Sequence, residues 1–86
     1  MLNTVTIMGR LTADPDLGQT PNNISVCKFT VAVEEDIPDK NGKRAAQFIS
    51  VIAWRQTAEF VSRNFTKGKF IIVQGRLKNN NYEKEN

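Results

Sequence analysis

The 86-residue sequence contains no histidine and only one cysteine. Without an imidazole, the Ser-His-Asp and Cys-His catalytic arrangements are impossible, because both need that base. Cys27 alone makes no internal disulfide, and with no histidine beside it the chain has no Cys/His zinc set. Long apolar runs are absent as well. The longest, Val51-Ile52-Ala53-Trp54 and Phe70-Ile71-Ile72-Val73, are far shorter than the ~20 residues that cross a bilayer. The opening Met1-Leu2-Asn3-Thr4 has neither the basic nor the apolar segment of a signal peptide. No membrane partner, metal or cofactor is therefore expected, and the expected compartment is the cytoplasm.

What is present is ordinary for a small globular domain. Hydrophobic residues make up 40% and charged residues 24%, which argues against whole-chain disorder. The net charge of +3 conceals an asymmetry. Residues 1–41 hold three basic against six acidic side chains; residues 42–86 hold nine basic against three acidic. A basic half points to a polyanionic partner, with a solvated surface as the plain alternative. No strongly amphipathic basic helix supports a membrane version of that reading.

Hydrophobic periodicity predicts four strands and one helix. Val5, Ile7, Gly9 and Leu11 share one parity in a first strand, Thr4–Leu11. Turn residues then fill 12–23, which reads as a loop. In a second strand, Ser25–Glu34, Cys27, Phe29, Val31 and Val33 form the apolar face and Lys28, Thr30 and Glu34 the polar one. Cys27 reads as a small core residue, since no base is available to activate it. Asn41-Gly42 signals a hairpin into a third strand, Ala45–Arg55. There Ile49, Val51 and Ala53 should face the core, and Phe48, Ser50, Ile52 and Trp54 the other side. A short helix over Gln56–Phe65 carries Glu59 and Arg63 as an i,i+4 pair. Gly68 is expected to terminate it, with Lys67 at the negative end of its dipole. Phe70–Lys78 is the fourth strand. Phe29, Phe60, Phe65 and Phe70 are expected to pack in or against the core.

One pattern occurs twice: Ile7-Met8-Gly9-Arg10-Leu11 and Val73-Gln74-Gly75-Arg76-Leu77. A glycine within a strand marks a bend or a close approach, as barrel corners require. The order strand, strand, strand, helix, strand fits a mostly-β small barrel. The OB-fold, a five-stranded partly open Greek-key barrel, is one such solution, and periodicity alone leaves other small β-barrels open.

The residues also carry a resemblance. Leu2-Asn3-Thr4-Val5-Thr6-Ile7-Met8-Gly9-Arg10-Leu11-Thr12, then Asp14-Pro15 and Thr20-Pro21-Asn22, resemble bacterial single-stranded DNA-binding protein (SSB). The likeness continues through Phe29-Thr30-Val31-Ala32-Val33, Phe48–Arg55, Lys67-Gly68 and Gly75-Arg76-Leu77. It implies an OB-fold over residues 1–86 with the helix between strands 3 and 4. On that pattern strand 5 is missing, so a truncated domain with an open barrel edge is expected. It also implies sequence-tolerant binding of single-stranded DNA in replication, recombination and repair. A homo-oligomer is implied, a tetramer before a dimer. The family's usual linker and acidic tail are not matched, so recruitment of replication and repair proteins through such a tail is not expected.

Stacking positions of the family fall on Phe48, Trp54 and Tyr82. A further family aromatic falls at about Ile37, which weakens that contact. Lys78 matches the basic run before the last aromatic, whereas Asn79-Asn80-Asn81 is uncharged. Pattern alone leaves Phe48 and Trp54 divided between packing and ligand contact. Phe48 and Trp54 share a parity six positions apart, roughly 20 Å at ~3.3 Å per residue. A basic groove that follows the backbone while aromatics stack on bases is the mode single-strand binding proteins are known for. The basic candidates are Arg10, Arg55, Arg76 and Lys78, then Lys43 and Arg44; each has solvated surface charge as its alternative. Competing functions are an OB-fold module of replication restart, a single-stranded RNA binder, and a structural subunit. A Mg²⁺-dependent nuclease built on Glu34-Glu35-Asp36 is disfavoured, since a solvated hairpin base explains that cluster.

Overall fold

A computed structural model describes residues 2–78 and shows β1 (Val5–Leu11), β2 (Asp16–Gln19), β3 (Ser25–Glu34), β4 (Ala46–Trp54), α1 (Arg55–Asn64) and β5 (Phe70–Gly75). Alternation sets the long strands. Gly9 and Leu11 in β1, Cys27, Phe29 and Val31 in β3, Ala53 in β4 and Ile71 in β5 turn inward and are buried. With Ala58 and Val61 of α1, the apolar side chains among these make the core. Ile7, Val33, Val51, Phe65 and Val73 pack against it while partly buried. Full burial of one Val, Ile or Phe side chain contributes about 1.5–3 kcal/mol. Cys27 is fully buried, and burial, with Asp16 adding to it, pushes its thiol pKa up.

All pairings are antiparallel. β4 runs the length of one edge of β3, from Val26↔Trp54 to Glu34↔Ala46. The other edge is shared by β1 (Arg10↔Ala32, Leu11↔Val31) and β2 (Asp16↔Lys28 to Gln19↔Ser25). β5 returns from the helix to pair β1 from Val5↔Gly75 to Arg10↔Phe70. Thus β1 and β2 act as one strand interrupted at residues 12–15. Counted that way, the helix lies between the third and fourth strands, as the resemblance implies. Among the described residues no strand covers the second edge of β4.

Several expectations need correction. The segment 12–23 is not all loop, because β2 lies within it. All four β2 residues are exposed, so no apolar alternation marks the strand; it exists through backbone pairing to β3. The fourth predicted strand also ends early, at Gly75 instead of Lys78.

The two Gly-Arg-Leu copies part company. A Cβ on Gly9 would overlap the Ala32 carbonyl and sit 2.9 Å from a Val31 methyl, so β3 crosses β1 too closely for any side chain. A Cβ on Gly75 would meet nothing within 4 Å. Gly75 is therefore no close-approach glycine.

The helix ends differ from expectation too. The chain leaves α1 at Asn64 with Phe65 extended. Gly68, at φ +86°, belongs to a turn closed by Lys69 N–H donating to the Thr66 carbonyl (3.0 Å). That turn docks on the end of β1, where the Gly68 N–H donates to the Leu11 carbonyl at 2.8 Å and the Leu11 N–H to the Lys69 carbonyl at 3.1 Å. The cation at the helix end is Lys69, whose Nζ donates to the Asn64 carbonyl at 3.0 Å, instead of Lys67. Glu59 accepts from Ser25 Oγ at 2.9 Å, tying α1 to β3 where pairing with Arg63 was expected. Phe60 and Phe70 are exposed, while Phe29 is buried and Phe65 half-buried. The inward stripe of α1 is Ala58 and Val61, which leaves Phe60 outside, edge-on to Phe65 at 6.3 Å.

Candidate nucleic-acid interface

The outer face of the sheet follows from the same alternation. Cross-strand register arranges it in rows. Phe48 of β4 stands beside Ala32 of β3, then Arg10 of β1, then Phe70 of β5. The next rows are Ser50 and Thr30, then Ile52, Lys28 and Asp16, then Trp54, Val26 and Gly18. Phe48 is 68% exposed and Trp54 51%, so neither serves the core. Between them lies a groove of ≈ 410 Å³, walled by the loop after β1 and floored by Lys28, Thr30, Ser50 and Ile52. An aromatic ring beyond each end of a trough lined by both apolar and polar side chains suits a chain whose bases stack while its backbone stays solvated.

Asp14 fixes the loop wall. Its Oδ1 accepts the Lys67 N–H at 2.8 Å, joining the loop after β1 to the turn before β5. Beyond Trp54 lies a second open cleft of ≈ 580 Å³, lined by Asn23, Ser25, Arg55, Gln56 and Glu59 among others. Here β4 passes straight into α1, and Arg55 makes the change of direction at φ 58°, a left-handed conformation that is unfavourable for a side-chain-bearing residue. Arg55 is exposed at this junction and lines the same cleft as Trp54.

The remaining basic candidates are exposed but differently placed. Arg10 lies over the Phe70 ring, 5.5 Å from its centroid, and donates to the Gly68 carbonyl at 3.1 Å. It is thus held flat on the outer face, in the row of Phe48. Arg76 and Lys78 follow β5. Their course is set by Asn3, whose Nδ2 donates to the Leu77 carbonyl and whose Oδ1 accepts the Leu77 N–H, both at 3.1 Å.

Lys43 and Arg44 sit on the β3–β4 hairpin. Its turn is closed by the Gly42 N–H donating to the Asp39 carbonyl at 3.0 Å. Arg44 bends back, its guanidinium donating to the backbone carbonyls of Glu35 and Asp36. Glu35 in turn accepts from Gln47 Nε2 at 2.9 Å. Ile37 is exposed on the same hairpin. Tyr82 lies outside the described residues.

The structure therefore brings Phe48, Trp54 and Arg10 to one face of the sheet, with Arg55 next to Trp54 on the adjoining cleft. Lys43 and Arg44 stand on the hairpin, and Arg76 and Lys78 on the segment leaving β5. Phe70 was expected to pack in or against the core, and it is exposed on the outer face instead. The signal against that was its parity with Ile72, opposite to Ile71 and Val73.

With this geometry in view, the comparisons with known proteins are decisive about kinship. The model of the single-strand binding protein family matches residues 2–86, and the chain belongs to that family. It is similar to the single-stranded DNA-binding protein of Bacillus cereus, 46% identical over 83 residues, covering 96% of this chain and 49% of that protein. Single-stranded DNA-binding protein A of Bacillus subtilis is 45% identical over 85 residues, 99% of this chain and 49% of that one. Among solved structures, a deletion mutant of the single-stranded DNA binding protein from Thermus aquaticus superposes with a TM-score of 0.73 at 40% identity. That match covers 87% of this chain and 32% of the Thermus chain. The chain thus spans about half the length of the curated relatives it matches. The strand order described above, shared with that neighbour, is an OB-fold.

Proposed function

We propose that this chain binds and protects single-stranded DNA with little regard for sequence, in replication, recombination and repair in the cytoplasm. Bases stack on Phe48 and Trp54, with Tyr82 as a third platform. Arg10, Arg55, Arg76 and Lys78 contact phosphates or stack, and Lys43 and Arg44 add charge from the hairpin. The observation that carries this reading is the pair of exposed aromatics at the two ends of one groove on the outer face of β4. Every base has a π-face, and phosphate contacts are blind to sequence. Family membership and the names of the relatives support the same reading.

The chain acts as a homo-oligomer, a tetramer in the simplest arrangement. Met8 and Ile72, directly paired on the outer face of β1 and β5, are both exposed, and Phe70 adjoins them. Such a contiguous apolar patch favours cover by another copy.

Titration with oligo-dT tests both parts. Trp54 is the sole tryptophan, so its emission reports stacking directly, while light scattering reports mass. Saturable quenching is expected, with affinity falling as salt rises at a slope of about −0.7 per phosphate neutralised. Unchanged emission at saturating oligonucleotide in folded protein would remove Trp54 from the site. A scattering mass of one chain would refute the assembly.

A further inference from the structure

Lys28 belongs to no set of basic candidates chosen from sequence, yet the register puts it on the binding face. It lies directly across from Ile52, in the row next to Trp54 and two rows from Phe48. It is exposed, and it is the single basic side chain among those lining the groove between the two aromatics. The other polar lining groups are Thr12, Asp14, Thr30 and Ser50. Asp16 faces Lys28 across the β2–β3 pair. Without Lys28, the stretch that a bound strand must cross would carry carboxylates and no cation.

We propose that Lys28 is the phosphate anchor of the groove, engaging the backbone of the nucleotides that lie between the bases stacked on Phe48 and Trp54. This rests on the DNA-binding reading above. The geometry supports it in length as well. The two aromatics are roughly 20 Å apart along β4, at ~3.3 Å per residue. Several nucleotides separate bases held at the two ends, so at least one phosphate must pass the row of Lys28. An ammonium on a four-carbon stem can follow a mobile phosphate as a point charge without imposing a fixed bidentate geometry. That suits a surface that takes any sequence.

The test is the salt dependence of oligo-dT binding, read from Trp54 emission, for the parent protein and for Lys28→Met and Lys28→Arg. Lys28→Met keeps the stem and removes the charge. Its affinity should fall several-fold at low salt and converge with the parent at high salt. Its slope should be shallower by about 0.7, the value of one phosphate on a single strand. The depth of quenching at saturation should stay that of the parent, because Trp54 is untouched. Lys28→Arg should keep the parent slope. A parent-like slope in Lys28→Met overturns the proposal while leaving the DNA-binding reading intact, and so does an equal loss of slope in Lys28→Arg. A parent protein that shows no quenching overturns both. Thermal unfolding of the exposed-site variants should match the parent, and a large loss there would also refute a purely electrostatic role.

Discussion

The two Gly-Arg-Leu motifs offer a stringent experiment, because identical sequence is given opposite structural meaning. At Gly9 an added methyl would drive into the Ala32 carbonyl and press on Val31. The obstacle is backbone, which cannot rotate away as a side-chain tip can. Relief requires β1 and β3 to separate where they hold their two register pairs, Arg10↔Ala32 and Leu11↔Val31. Overpacking typically costs 1–3 kcal/mol, and a backbone obstacle puts Gly9→Ala at the top of that range, about 3 kcal/mol. For a domain of this size each kcal/mol moves Tm by about 4–8 °C, so a fall of roughly 12–24 °C is expected. At Gly75 the methyl meets nothing within 4 Å, and φ is not positive. Gly75→Ala should therefore be neutral or stabilising by about 0.5–1 kcal/mol, since alanine loses less backbone freedom on folding. Thermal unfolding followed by circular dichroism, at matched protein concentration because assembly shifts Tm, measures both. A Gly9→Ala loss under about 1 kcal/mol, or a Gly75→Ala loss as large as that of Gly9→Ala, would refute the close-crossing argument.

Trp54→Ala should cost ~1–3 kcal/mol of affinity for a single-stranded oligonucleotide, read by anisotropy of a labelled strand, with Tm moving little because Trp54 is half exposed; parent-like affinity would exclude stacking there. Arg55 bears a left-handed φ of 58°, so Arg55→Gly should be more stable than Arg55→Ala by about 1 kcal/mol in denaturant unfolding, and equal stability would show the junction to be unstrained. The Cys27 thiol has its pKa raised by burial, then by Asp16, from 9.0. The unfolded chain therefore releases that proton first as pH rises, so stability should be level below about pH 9 and decline above it. Cys27→Ala should lose that decline, and a pH profile identical to the parent's would assign it to other groups.

Much of this architecture could be read before any coordinates, for a definite reason. Where a strand has one buried face, parity alone decides which side chains are inside. The expected span of β3 was found as read, and in β4 Ala53 is buried and Val51 packs against the core, while Ile49 stays outside the core cluster. The failures occur where the determining interaction is not in the local pattern. β2 has no buried side chain and is held by backbone pairing to β3. Gly9 and Gly75 differ only in what lies across from them. Phe60 and Phe70 were expected to pack in or against the core; position on the helix and strand leaves both exposed, with Phe60 edge-on to Phe65. The site shows the same division. Phe48 and Trp54 were placed on the outward parity of one strand, but the groove between them is floored by two strands. Lys28 joins it only through the β3–β4 register.

That division bears on how affinity is composed. Inward positions of β3 and β4 are constrained by packing, whereas Phe48, Ser50, Ile52 and Trp54 of β4 and Lys28 of β3 are exposed and can change with little cost to the core. Ile37 is exposed on the β3–β4 hairpin and offers no ring on which to stack. On the proposal made for Lys28, an exposed lysine in the groove supplies affinity of another kind. Stacking is only weakly coupled to counterions, whereas each phosphate contact releases them. A surface that exchanges a stacking residue for a cation therefore retains affinity at low ionic strength and gives it up as salt rises. The same replacement leaves sequence tolerance intact, because a phosphate contact reads no base. On this reasoning Ile37→Trp should tighten oligo-dT binding most visibly at high salt, where Lys28 contributes least, and Lys28→Met should weaken it most at low salt. Effects of the two substitutions that followed the same salt dependence would mean that stacking and charge are not separable on this face.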